Sequence, residues 1–511
     1  MAQCDRNSYD ETVPAAAKAL DSPYRYQELA DFITRLVDGG TLLPGSRVPS
    51  LRQISRERGT SLATALQAYR LLEDRGVLEA RPQSGFYVAR RARGRLEAPA
   101  ISKPASTPRT VLLSAVALRL FEYASDPSLV PLGCAIPSAE LLAAGRLDRF
   151  LARAARERGV KHNTYTALRG ERALRGELAR RAARWGGTLS PDDLVVTCGC
   201  TEALTLALQA VAQPGDTIAI ESPTYFGLLH TIEVLNLRAL ELPTDPFTGV
   251  DPGALEQALR ERPVKACLFS SSFNNPLGCT PSDERKRELL RLLTRHRVPL
   301  IEDDIFGDVF FGERRPTPFS ALDPAADVIY CSSFSKTVAP GYRIGWMAPG
   351  RHLQRVLERK MAFTLSGPPL TQGAFADYLA SGGYDGHLRR IRAVFRDNIE
   401  RMSQAISRVF PRGTRVSRPA GGYVLWVELP KRIDTRELFD LAIERGICFA
   451  PGDVFSAARR YAHCLRLSCG APWTGRIERA LEVLGGIACD MAGSGASRKM
   501  DSGRNAVNTS L

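Results

Sequence analysis

Between about residue 110 and residue 485, short apolar runs recur at 194–197, 217–220, 265–270, 299–302, 328–332 and 343–348. Several are separated by stretches with helical apolar spacing. A chain patterned this way has few folds open to it, and the pattern predicts a largely parallel sheet flanked by helices. Strand-like pieces at 415–429 and 463–469 predict a smaller α/β subdomain taking in about 390–487. After about Ala488 a Gly, Ser, Arg and Asn mixture predicts a disordered tail over 488–511.

The N-terminal part has another rhythm. The first 20 residues carry no regular pattern. From Tyr24 to Val37, Leu29, Phe32, Ile33 and Leu36 fall at helical spacing, and Gly39-Gly40 ends the run. Ser50 reads as the N-cap of a short helix stopped by Gly59. Thr60-Ser61 caps a second helix, which places Leu62, Leu66, Tyr69 and Leu72 on one inward face and closes at Gly76. Two short strands, 77–80 and 86–89, flank the turn at 81–85. Residues 91–109 lose periodicity. Pro99, Pro104 and Pro108 predict a semi-extended linker with no apolar pattern for docking.

Charge and cysteine usage narrow the classes. No run approaches 18 uninterrupted apolar residues, and the first residues lack an apolar signal core, so a membrane span is not expected and a cytoplasmic location is. Net charge of +14 permits a nucleic-acid partner. It is weak evidence, because only nine of the 69 basic residues are Lys and the charge is spread out, apart from a cluster at Arg90, Arg91, Arg93 and Arg95. The eleven cysteines form no CxxC pair, Cys198 and Cys200 are poorly spaced for zinc, and most others sit in apolar strands such as those of Cys267 and Cys331. They read as reduced core thiols, and neither they nor the six dispersed His residues suggest a metal site.

The chemistry-bearing run is Ser-Ser-Phe-Ser-Lys-Thr-Val-Ala-Pro-Gly-Tyr-Arg-Ile-Gly-Trp, residues 332–346. An amine at a strand end, Lys336, is accompanied by Ser333, Ser335 and Arg343, groups able to hold a dianionic phosphate. This run resembles the cofactor-lysine segment of fold-type-I pyridoxal-phosphate (PLP) aminotransferases, in which the lysine forms a Schiff base with the cofactor aldehyde. Other stretches extend the resemblance. Ile-Glu-Asp-Asp, residues 301–304, ends a buried strand, and alignment to the family selects Asp303 over Asp304 as partner of the ring nitrogen. Phe-Asn-Asn-Pro-Leu-Gly, 273–278, resembles the family's Asn-Pro-x-Gly and gives Asn275 to the ring hydroxyl. Gly199, Cys200 and Thr201 open a helix after a strand, a natural phosphate cradle. Pro-Thr-Tyr, 223–225, gives Tyr225 as the stacking ring. Tyr165 resembles the tyrosine that reaches the partner subunit's cofactor phosphate, which implies a homodimer, although a core tyrosine fits its sequence as well. Arg466, in Cys-Leu-Arg-Leu-Ser-Cys, resembles the substrate-carboxylate clamp. Its place between two leucines also fits an exposed sheet charge. Ile305 and Phe306 stand where the family usually has a Tyr to the ring hydroxyl, a departure that makes full turnover less expected than cofactor binding.

Residues 42–52, Leu-Leu-Pro-Gly-Ser-Arg-Val-Pro-Ser-Leu-Arg, resemble the GntR-type winged helix-turn-helix, and that resemblance spans 21–90. It implies operator DNA as partner, with Arg47, Ser50 and Arg52 near the backbone, Gly85 at the wing tip, and Ser61, Thr64 and Gln67 facing outward from the second helix in the major groove. Leu62 stands where many members carry Arg, so a bidentate guanine contact is missing there. The two halves together resemble the MocR subfamily of bacterial regulators, over residues 21–485. Three functions follow: a regulator sensing PLP or its adduct with an amino compound, a working aminotransferase with a tethered DNA module, and a passive PLP sensor. The absent phenol and the DNA module favour the first or the third.

Overall fold

The computed structural model describes residues 25–504, apart from 39–40, 44, 75–76, 82–83, 90–95, 113–114, 158 and 160–162. The unpatterned first 20 residues and the arginine cluster at 90–95 lie outside the described residues. The chain divides into two units between residues 94 and 95.

In the first unit three helices, Arg25–Asp38, Leu51–Glu57 and Leu62–Asp74, precede the antiparallel hairpin of β1 (Leu78–Arg81) and β2 (Gly85–Val88). The capping residues act as their chemistry predicts. Ser50 Oγ accepts the Gln53 N–H at 3.2 Å, and Ser61 Oγ accepts that of Thr64 at 3.0 Å. Ile33, Ile54, Tyr69, Leu72 and Val88 form the core, with the Tyr69 ring edge-on to Phe86 at 5.1 Å. Leu62 does not join that face. It is 51% exposed, because it lies in the first turn and the helix meets the core only from Ala65 onward.

In the second unit, β3 (Arg109–Thr110), β5 (Val195–Thr197), β6 (Thr217–Ser222), β7 (Arg238–Asp245), β8 (Gly249–Val250), β9 (Val264–Ser270), β10 (Leu300–Asp303), β11 (Val328–Ser333) and β12 (Gly345–Ala348) form one sheet. Its order is β3-β7-β6-β9-β10-β11-β12-β5, with β8 on β7. From β7 to β11 the strands are parallel, as predicted, and β12 and β3 run against them. A second sheet joins β13 (Arg415–Val416), β14 (Val424–Glu428), β16 (Cys464–Ser468), β15 (Ile447–Pro451) and β4 (Val130–Leu132) in that order. The small lobe therefore recruits residues 130–132 from far upstream. The chain stays helical after Ala488. The helix Gly475–Arg504 takes in the described part of the stretch expected to be disordered, with Ala488 and Ala492 buried; residues 505–511 lie outside the described residues. No described helix is long and apolar enough to cross a membrane.

The linker expectation also fails from residue 96 onward. Glu97 O accepts the Val416 N–H at 2.9 Å, and the Ala100 N–H donates to Glu428 at 2.8 Å, tying the segment to the small sheet. Ser102 exchanges bonds with the Thr244 backbone at 2.7 and 3.3 Å, and β3 pairs with β7, tying it to the large one. Each such bond contributes ~0.5–1.5 kcal/mol net. Residues 96–110 are a strap laid across both lobes. The segment docks largely through polar groups, most of them backbone, so it needed no apolar periodicity.

Candidate functional site

The carboxyl ends of β5, β6, β9, β10 and β11 lie on the same edge of the large sheet, where ligands of open α/β folds collect. The segments leaving those ends carry Gly199, Tyr225, Asn275, Asp303 and Lys336 respectively. Adjacent parallel strands thus bring together residues more than a hundred positions apart.

Lys336 is half-buried, and its Nζ donates to Ala135 O at 2.7 Å. Burial, reinforced by the Arg466 guanidinium, pulls its pKa down to about 8. Near neutral pH a useful fraction of the amine is therefore an unprotonated nucleophile.

The two adjacent acids at the end of β10 separate cleanly. Asp304 is 1% exposed and fully engaged. It accepts from Ser271 at 3.0 Å and from the Tyr330 hydroxyl at 2.7 Å, and is ion-paired to Arg315. Asp303 accepts from the Ile305 N–H at 3.2 Å and from the Cys200 thiol at 3.7 Å, and has no ion-pair partner among the described residues. Burial, with Asp304 beside it, raises its pKa to about 6, so it can hold or share a proton near neutrality. Asp304 is a structural ion-pair partner, which leaves Asp303 as the acid on the Lys336 side.

Ser333 Oγ pairs with Ser335 Oγ at 2.8 Å and donates to Ile344 O at 3.0 Å. Arg343, in the left-handed region at φ 54°, donates to Cys198 O at 2.9 Å and lies over Gly199. Gly199 has φ 85° and precedes the helix Cys200–Val211, and a Cβ on it would come 2.5 Å from the Arg343 guanidinium. Two hydroxyls, a guanidinium and free helix-start N–H groups thus lie together, as a phosphate requires.

Arg466 is fully buried, so it is not an exposed sheet charge. Both faces of β16 are covered. Its guanidinium donates to Asn275 Oδ1 at 3.1 Å and to Gly133 O, lies 5.3 Å from the centre of the Phe455 ring, and leaves Nε without a partner. No carboxylate among the described residues pairs with it, and burial pulls its pKa down. An unpaired buried guanidinium with a free N–H has an unmet requirement for an anion, such as a substrate carboxylate. Tyr225 caps the helix Phe226–Val234, and burial raises its pKa to about 12, opposed by Arg466. The residues present fit pyridoxal phosphate.

Tyr165 is 83% exposed, so it is not a core tyrosine. In the first unit Arg47, Ser50, Arg52, Ser61, Gln67 and Gly85 are exposed. Arg47 bridges to Tyr87 of the wing, with its guanidinium close to Gly85. Thr64 is only half-buried, and its hydroxyl is 2.8 Å from that of Ser61, so the two act as one polar unit at the helix start.

Sequence reasoning missed the partners that position these groups. Ala135 O receives Lys336 and also the Tyr423 hydroxyl at 3.3 Å, so a phenol reaches the lysine's neighbourhood from another lobe. Gly133 O, Phe455 and the Arg315–Asp304 pair carried no motif. Arg315 lies in the polar stretch Gly-Glu-Arg-Arg-Pro-Thr-Pro, 312–318, where an arginine draws no attention.

The class I and II aminotransferase family matches residues 141–484, and the bacterial regulatory proteins of the gntR family match 25–88. The chain is 39% identical over 461 residues to the uncharacterized HTH-type transcriptional regulator YdcR of Escherichia coli (strain K12), covering 90% of this chain and 98% of that protein. With YjiR of the same strain, also an uncharacterized HTH-type transcriptional regulator, it shares 36% over 470 residues, 90% and 98% of the two chains. The large unit is similar to the crystal structure of LysN, the alpha-aminoadipate aminotransferase of Thermus thermophilus, complexed with N-(5'-phosphopyridoxyl)-L-leucine. The TM-score is 0.69 and identity 27%, covering 74% of this chain and 96% of that one. With both halves matched and the homology running through nearly the whole chain, the protein belongs to the MocR subfamily, GntR-type helix-turn-helix regulators fused to a class I and II aminotransferase domain.

Proposed function

We propose that the protein is a transcription regulator that binds operator DNA through its first unit and senses PLP, or PLP joined to an amino compound, through its second. The observation that carries this reading is the strap. It is bonded to both lobes around the candidate site and leads directly to the DNA-reading unit, so movement between the lobes reaches the chain that connects to the head. Bound pyridoxal phosphate supplies an aldehyde that captures amines and a ring that withdraws electrons. Lys336 offers the attaching amine. Gly199, Cys200, Thr201, Ser333, Ser335 and Arg343 hold the phosphate, Asp303 holds the proton at the ring nitrogen, Asn275 meets the ring hydroxyl, and Tyr225 stacks. Arg466 takes the effector's carboxylate. The site works as a dimer. Tyr165 is exposed beside the segment that presents Met361 and Phe363, joined to it by the Thr166–Gly367 bond, and a partner subunit covers them. DNA binding places the protein in the cytoplasm.

A second reading, a working aminotransferase, is favoured by the intact set of Lys336, Asp303 and Arg466. Steady transamination of an amino acid with a 2-oxo acid, at rates unaffected by DNA, is its signature.

Loading of the apoprotein tests the lysine. The unprotonated amine is the nucleophile, and the pKa lies near 8, below the usual lysine value. The rate of PLP uptake therefore rises with pH up to about 8 and levels off above it. A rate still climbing through pH 10 contradicts the lowered pKa. On the DNA side, Arg52→Ala and Arg47→Ala each weaken duplex binding and flatten the log–log salt dependence by about one unit. Wild-type affinity and slope in both variants would show these arginines to be merely solvated.

A further inference from the structure

A cavity of about 740 Å³ opens beside the candidate cofactor site; its lining includes Ser333 of the candidate phosphate cradle but not Lys336, Asp303 or Arg466. That volume suits a small-molecule ligand. Its wall is built from the 304–317 loop, the start of the helix Gly383–Val409, the end of the helix Arg172–Ala183 with the residues just after it, and residues of the segment 330–337.

Its charges are unbalanced. Six arginines face four carboxylates. Three carboxylates are already used in a chain of pairs. Asp304 binds Arg315, Asp308 binds Arg315 at 2.9 Å and Arg181 at 3.5 Å, and Asp385 binds Arg181 at 3.0 Å and Arg184 at 2.6 Å. Arg314, Arg389 and Arg392 have no carboxylate partner among the described residues. Arg392 donates through Nε to Asp308 O at 2.7 Å and sits 3.6 Å over the Phe310 ring, which fixes its fork at the cavity wall. Guanidinium forks arranged this way fit phosphate or carboxylate oxygens. Trp185, stacked on Tyr330 at 5.4 Å, adds a flat apolar wall.

The cavity is also wired to the lysine. The Tyr384 hydroxyl lies 2.9 Å from Asp308 and 3.0 Å from the Thr337 hydroxyl, and His387 meets Thr337 O at 2.6 Å. Thr337 follows Lys336 directly. An anion that draws on Arg181 or Arg315 competes with Asp308 and so loads the Tyr384–Thr337 link.

We propose that this cavity is a second ligand site, adjoining the Lys336 site at Ser333, for a small molecule bearing phosphate or carboxylate groups. Arg314, Arg389 and Arg392 hold the ligand, and its occupancy is felt at Lys336 through Tyr384 and Thr337. The binding half stands without the cofactor reading, and only the communication half rests on it. The experiment is calorimetric titration of the PLP-loaded protein, whose phosphate cradle is filled, with pyrophosphate in one arm and citrate in the other. Saturable binding of at least one is expected, weakened tenfold or more in Arg389→Ala/Arg392→Ala. Arg314→Ala, an exposed change that leaves the fold alone, should weaken it several-fold. A shift of the bound cofactor's visible absorbance on titration, lost in Tyr384→Phe while anion binding persists, supports the link. Failure of both anions to bind, or equal binding by the arginine variants, overturns the site. Binding with no absorbance change overturns only the communication. A protein that takes up no PLP but still binds the anion retains the cavity and refutes the cofactor reading.

Discussion

Lys336→Ala abolishes covalent attachment of pyridoxal phosphate. Borohydride reduction of the loaded wild type fixes the cofactor to the chain, detectable by intact mass, and the fixed position is Lys336. The variant gains no mass and lacks the near-visible absorption band. The effect is all-or-none because the fully buried lysines among the described residues are committed elsewhere. Lys286 donates to Thr317 O at 2.6 Å, and Lys360 is paired with Glu202 at 2.9 Å. Phosphate, ring and carboxylate contacts survive, so the variant still binds PLP, only reversibly. An unchanged mass gain in Lys336→Ala would refute the assignment.

Asp303 and Asp304, adjacent in sequence, respond oppositely to the same change. Asp304→Asn breaks a largely buried ion pair and leaves Arg315 with Asp308 as its remaining carboxylate, at a cost of about 3 kcal/mol in stability. Asp303→Asn meets no ion pair and changes stability little. It removes the charge-assisted bond to the cofactor ring, which weakens PLP binding by roughly ten- to a hundredfold for a bond contributing ~1.5–3 kcal/mol. Thermal melts of apoprotein and PLP titrations of both variants separate the effects. Large destabilisation by Asp303→Asn with intact PLP affinity would reverse the two roles.

Much of the site was legible because its residues sit where strand-to-loop transitions leave a local signature. A buried apolar run ending in Asp, Lys or Gly-Cys-Thr marks the edge of a parallel sheet without knowledge of the strand order. The caps of the first unit were legible for the same reason, since Ser50 and Ser61 bond to N–H groups three residues on. What escaped depends on contacts distant in sequence. The strap's partners Thr244, Val416 and Glu428 lie far along the chain, and apart from the Ser102 hydroxyl its bonds to them use backbone groups that every residue type offers. Strand β7 carries Pro243 near its end, which masks a strand pattern. An exposed charge also fitted Arg466, besides the carboxylate clamp, because alternation assigns one face of a strand to solvent, whereas this strand is covered on both faces. The terminal helix is rich in Gly, Ser and Ala, and packs through small residues that composition alone reads as disorder.

The strap makes the coupling between the two units a measurable quantity. Tyr461 hydrogen-bonds Ser222 at 2.7 Å, two residues before Thr224, whose N–H donates to Phe455 O at 3.0 Å beneath Arg466. Ser102 of the strap is held by Thr244 on the neighbouring strand. In the proposed reading, a ligand that closes the small lobe on Arg466 would pull on the chain leading to the head. The central claim is tested most directly by footprinting and affinity measurement on operator DNA with apoprotein, with PLP, and with PLP plus candidate amino acids. Wild type and Ser102→Ala are compared, with product formation followed in the same samples. The account predicts that affinity or footprint changes with ligand in the absence of turnover, and that Ser102→Ala blunts the change without altering PLP binding. Identical affinity and footprint in every state, alongside steady transamination, would contradict it and leave an enzyme with a DNA-binding module attached.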